Sequence, residues 1–445
     1  MTEKDFHKTL LGFHSGVQAL FAMVKQTGQV ADDQDLSDLT KFFKGLAKFD
    51  VEFDYRQFVE RLATLGAQVN DATKLSDFLK ETDIDVSGIF KIKEDNTILP
   101  EKGFTDFLSA WTRENPEEVK QFMYLLSGAK RHPIARGEYL RRGALISLIG
   151  VFDACLSKLM PEDEEQNYKR YQSQNGQLIL FSSKMAGNVY CLSKRLSLTE
   201  DEKKWFAGHE RLILKRNLYA HNNGGVDRAY LDKLERIRDE DPAVYPDVGK
   251  SYLWMPMDEL LRAFDIFHLL GIMLIQKMWR LDDASTIKQA DEDYAPLMLD
   301  LIYDERYAVV DKLGSLARDL RIESQTGFFT KQVITVNHAI ALKEMGELER
   351  MRRVLSRLKN PGEKNFSNRF EMARYALLGG QNIERALIYL KYAIESGEIL
   401  YPDIQEPIFD YLRGQPGFDE LIRSSFKADS LQHKLPPAPT RFNIT

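Results

Sequence analysis

The sequence predicts an all-α protein, on three observations. Apolar residues recur at spacings of three and four along almost the whole chain, alternating apolar and polar runs are scarce, and only 15 prolines interrupt 445 residues. One hydrophobic core rarely serves a chain of this length, so three domains are expected, at 1–132, 133–285 and 286–445. With 43% hydrophobic and 11% aromatic residues, each can offset its ordering entropy, and no large disordered block is expected. The net charge of −6 argues against wholesale polyanion binding but leaves room for a local basic surface.

The first domain reads as helices near 3–27, 35–48, 54–66, 74–82, 103–113 and 116–128. Between them, the β-branched residues and turn-like Glu-Asp-Asn of 84–100 suggest a small hairpin. Pro133 and Gly137 close the domain with a linker, and no role is assigned to it. The opening residues mix acids and histidines where a secretion signal would carry a basic and then an apolar run. Cys155 and Cys191 both fall in apolar helices and suggest no disulfide framework, so a cytoplasmic setting is expected.

The second domain opens on a helix from Tyr139 to Met160, with Leu140, Ala144, Leu148, Phe152, Cys155 and Leu159 along one stripe. A second helix follows near Leu178–Leu196. A third starts at a capping box, Thr199 with Glu202, and runs towards Arg216-Asn217-Leu218-Tyr219-Ala220-His221. The last spans Met257–Trp279. Arg262, Asp265, His268, Gln276 and Lys277 make it a buried helix, not a membrane span.

In the third domain Gly346, Gly380 and Gly414 recur every 34 residues, each near the turn after an apolar helix. In the best copy, Ala386 and Ala393 lie one helical seam apart. This pattern resembles tetratricopeptide repeats, which implies stacked helix pairs and a groove for a protein or peptide partner.

Arg216, Asn217 and His221, as an arginine, a polar residue, a short spacer and a histidine, resemble the signature of the HEPN family, which is rich in metal-independent ribonucleases. The resemblance covers about a third of the chain. Arg262 and His268 also satisfy the spacing, but Arg262 precedes Ala263 inside an apolar helix, so that pair is set aside. Histidine suits proton transfer near neutrality, and arginine offers phosphate a permanent charge and a fork of donors. Lys203, Lys204, Arg211, Lys215 and Arg228 outnumber the neighbouring acids and are expected to contact RNA. The resemblance further implies a composite site shared across a homodimer or higher oligomer through the HEPN-like domain. Where some relatives carry a tyrosine modified by an antitoxin, this chain has Asn223, which argues against that mode of neutralisation.

No metal or other cofactor is expected, since no cysteine or carboxylate cluster completes a site around His7, His14 or His209. The expected function is metal-independent RNA cleavage to 2′,3′-cyclic phosphate ends, as a regulated toxin or antiviral-defence effector. The rival is a non-catalytic dimeric adaptor or RNA-binding scaffold, and a third reading is an antitoxin or chaperone-like module.

Overall fold

The computed structural model of the protein describes residues 6–46, 90–92, 98–100, 136–160, 183–222, 224–237, 253, 255–320, 328–358, 369–379, 382–398 and 404–426. Helices dominate, as an all-α class requires. In order they are α1 (Phe6–Leu46), α2 (Arg136–Leu159), α3 (Lys184–Arg195), α4 (Glu200–Trp205), α5 (His209–Asn222), α6 (Arg228–Ile237) and α7 (Met257–Asp282). Then come α8 (Ile287–Glu292), α9 (Tyr294–Tyr303), α10 (Tyr307–Asp319), α11 (Phe328–Glu344) and α12 (Leu348–Leu355). The last are α13 (Arg369–Gly379), α14 (Ile383–Glu395) and α15 (Pro416–Ser425). The expected hairpin is present as β1 (Phe90–Ile92) paired antiparallel with β2 (Ile98–Pro100), Lys91 opposite Leu99. The helices expected at 54–66, 74–82, 103–113 and 116–128 lie outside the described residues, as does the boundary at 132/133.

The chain forms two compact units, neither of them a continuous stretch. The first unit comprises Met1–His14, Leu192–Trp205 and His268–Thr445, and the second Ser15–Cys191 and Phe206–Phe267.

Two helices were expected over 3–48, and one continuous α1 is found. Gly28 stands inside it, where a Cβ would lie 2.5 Å from Cε at the flexible tip of Met257. The opposite correction applies to the stretch from Thr199 to Asn222, expected as one helix. The capping box forms, with Thr199 N–H donating to Glu202 Oε2 at 2.8 Å and Glu202 N–H to Thr199 Oγ1 at 3.2 Å. The chain then breaks at Gly208, whose φ of +88° glycine adopts without strain, and restarts as α5.

In the first unit, Phe6 stacks on Trp279 with centroids 6.0 Å apart, and the Phe13 ring lies across Gly271. A Cβ at Gly271 would sit 2.2 Å from the Phe13 ring. Gly271→Ala is therefore expected to destabilise by about 1–3 kcal/mol through overpacking. Gly12→Ala, on the exposed side of α1 with open space around it, should instead be neutral or stabilising by up to about 1 kcal/mol. Thermal unfolding of both variants checks the pair of signs.

The C-terminal part of this unit is built from packed helices, α10 on α11, α11 on α12 and α13 on α14. The seam predicted from Ala386 and Ala393 is fully buried, with Leu390 between them. Gly346 and Gly414 hold φ of +78° and +79°, as turns after helices demand. Polar contacts join the layers: buried Arg374 meets Glu406 at 2.9 Å and Glu371 at 2.8 Å, and buried Asp311 meets His338 at 3.0 Å and the partly exposed Arg350 at 2.6 Å.

Candidate active site

The Arg-Asn-His motif occupies the last two turns of α5, in the second unit. Leu212, Ile213, Leu214, Leu218 and Tyr219 bury the helix, and it packs on α2. Its polar anchor is Glu259, near the start of α7, which accepts hydrogen bonds from Lys215 Nζ at 2.8 Å on both carboxylate oxygens. Arg211 Nη2 reaches the same carboxylate at 2.7 Å. Lys215 and Arg211 are one helical turn apart, so a single carboxylate can hold both.

This geometry corrects the sequence reading of Arg211 and Lys215 as RNA contacts. They are 6% and 3% exposed, and their charges point into the fold. Lys203 and Lys204 belong to the other unit, on α4, and pair with Glu200 at 2.6 Å and Asp201 at 3.0 Å. Arg228, at the start of α6, is exposed and pairs with Asp232 at 2.9 Å. These three remain at the surface. Exposed one-turn pairs of this kind are weak and screened by salt.

Arg216 is half-buried, and its Nη1 donates to Asn217 Oδ1 at 2.9 Å, which orients the guanidinium plane. Its Nε is buried with no hydrogen-bond partner among the described residues. His221 is exposed at the end of α5. Five residues separate the two, about 7.5 Å along the axis and about 140° around it, so the helix does not present them side by side. Asn217 and His221, four apart, do share a face.

Beyond His221, the described residues Asn222, Gly224 and Gly225 are held by hydrogen bonds. Asn222 Nδ2 donates to the Gly225 carbonyl at 2.6 Å, Gly224 takes φ of +89°, and Leu253 N–H donates to the Gly224 carbonyl at 2.9 Å. Asp227 then caps α6 by accepting from Tyr230 N–H at 2.7 Å.

Behind the motif lies a network that the sequence reading did not single out. Glu138 accepts from Arg142 Nε at 2.6 Å and from Met255 N–H at 3.0 Å, while Arg141 Nε donates to the Met255 carbonyl at 2.7 Å. Burial pushes the Glu138 carboxyl up, against the pull of Arg142 and Arg141. Arg142 in turn lies 5.0 Å over the ring of Tyr219, inside the motif. Only the one-turn spacing of Glu138 and Arg142 was visible beforehand, and that spacing is common on exposed helices.

The second arginine–histidine spacing does not form a surface pair, because His268 is fully buried. No group of three metal-ligating side chains occurs among the described residues, and no helix among them is long and apolar enough to cross a membrane. No family model matches the chain, and neither a curated protein nor a solved structure matches it.

Proposed function

We propose that this protein is a metal-independent endoribonuclease of the HEPN type, acting as a regulated toxin or antiviral-defence effector. One observation supports it above the others. On the same helix, Arg211 and Lys215 turn inward onto Glu259, whereas Arg216 and His221 have no carboxylate partner among the described residues. An α5 serving stability alone has its cations in the first group. The second group retains a phosphate-binding fork and an exposed imidazole.

In this reading His221 takes the proton of an RNA 2′-hydroxyl, whose oxygen attacks the adjacent phosphorus. The bond to the 5′-oxygen breaks, and that oxygen leaves as a hydroxyl after accepting a proton. Arg216, steered by Asn217, stabilises the charge on the phosphorane. The separation of Arg216 and His221 around α5 favours a site completed by a second copy, whose own histidine supplies the leaving-group proton. Arg228, exposed in the same unit as the motif, remains a surface cation for the RNA strand. Arg211 and Lys215 position α5 instead.

The direct test is incubation of the full-length protein with total RNA in excess EDTA, with the product ends identified. Cleavage leaving 2′,3′-cyclic phosphate and 5′-hydroxyl ends is expected. Loss of all cleavage in EDTA with recovery on adding magnesium overturns the metal-independent reading. A non-catalytic adaptor is the second reading, favoured by exposed Ile388 and Tyr392 along α14. It predicts that partner recruitment survives loss of His221 and fails on Ile388→Glu.

A further inference from the structure

Two histidines of the first unit that the nuclease reading does not use form a buried chain. His14 Nδ1 lies 2.9 Å from His268 Nε2, Arg306 Nη1 lies 2.6 Å from His268 Nδ1, and His14 Nε2 lies 3.0 Å from Asp300 Oδ2. His268 is fully buried and His14 is 4% exposed. The edge of the Phe13 ring closes the site against His268 at 5.8 Å.

The hydrogen-bond directions follow from the end members. Arg306 can only donate, so His268 Nδ1 accepts and its proton sits on Nε2. That Nε2–H donates to His14 Nδ1, which leaves the His14 proton on Nε2, donated to Asp300. Both rings are thus neutral, and the chain runs one way from Arg306 through His268 and His14 to Asp300.

Such a chain has no place for another proton. The two ring lone pairs are both in use, so a protonated His14 turns an N–H towards the N–H of His268. Moving the His268 proton to Nδ1 only transfers the clash to Arg306. Either arrangement also sets a second cation beside the buried Arg306. We infer that the His14–His268 pair is a proton-operated latch, holding the first turns of α1 in place while both rings are neutral and releasing them when the pair takes up one proton.

Burial first, then Arg306 and His14, holds the His268 imidazole well below its ordinary range. Released from the fold, it binds a proton near the ordinary value of about 6.5. The latch is therefore fully closed above that pH, and closure weakens as pH falls through it. Two carboxylates work the other way, Asp300 at 3.0 Å from His14 Nε2 and Asp293 at 2.6 Å from His7, since each attracts positive charge on the ring it meets. Both contacts are partly exposed and screened, so the buried clash dominates. The latch does not rest on the nuclease reading.

Hydrogen exchange in residues 6–14 of the full-length protein, corrected for intrinsic pH dependence, tests it. The opening constant is expected to rise by at least about tenfold per pH unit between about 6 and 5 in the wild type. The double variant His14→Gln/His268→Gln, whose amides each offer one acceptor and a donor without titrating, should show no such rise. A flat wild-type response, or the wild-type slope in the double variant, overturns the latch. Imidazole nitrogen shifts of the wild type at pH 8 give a check that needs no variant. Both rings should be neutral with the proton on Nε2, and a charged ring or an Nδ1–H tautomer at either position refutes the chain.

Discussion

Replacing His221 with alanine should lower RNA cleavage by about 10²–10⁴-fold, the range expected when a general acid–base group is removed. The side chain is exposed and has no hydrogen bond to another described residue, so the same substitution should leave the unfolding midpoint essentially unchanged. That combination separates a chemical role from a structural one. Arg216→Lys sharpens the assignment, because it keeps the charge but removes the fork of donors that Asn217 orients. Its cleavage should fall while RNA binding persists. Wild-type cleavage by His221→Ala, measured under single-turnover conditions at matched oligomer content, would exclude the motif as the active site.

A large stability effect is expected from a residue that takes no part in that chemistry. Glu259→Leu should destabilise the protein by about 3–5 kcal/mol, read from chemical unfolding, because it removes the carboxylate that Lys215 and Arg211 share while both cations stay buried. Glu259→Gln should cost less, since the amide oxygen still accepts a hydrogen bond. Replacing the whole cluster at once, with Glu259→Leu, Arg211→Met and Lys215→Met together, should recover most of the loss, as the desolvation of three ions disappears with them. If the triple variant is no more stable than Glu259→Leu, the cluster is not the source of the effect. Cleavage by Glu259→Leu at a temperature where it stays folded should be reduced less than by His221→Ala, because Glu259 acts on the helix and not on the RNA.

Local sequence determined the helical class, the strand pair within 84–100, the capping box at Thr199 and the buried seam of Ala386 and Ala393. Each depends on neighbours within a few residues, through a hydrophobic repeat or a side chain reaching its own backbone. The motif Arg216, Asn217 and His221 was legible for the same reason, being a local pattern on one helix.

The fate of a charge was not legible. Arg211, Lys215 and Arg216 fall within six residues, and composition assigns all three to the surface. Two of them turn inward onto Glu259, 44 residues beyond Lys215. Likewise His14 and His268 look like ordinary helix residues until packing sets them 2.9 Å apart, between Arg306 and Asp300. Gly28 and Gly208 make the point in the backbone. One sits inside a continuous helix and the other ends one, though propensity penalises both alike. Sequence patterns report which residues share a face. Whether that face meets water, a carboxylate or another ring is decided by long-range packing, where burial multiplies the strength of every charge and hydrogen bond.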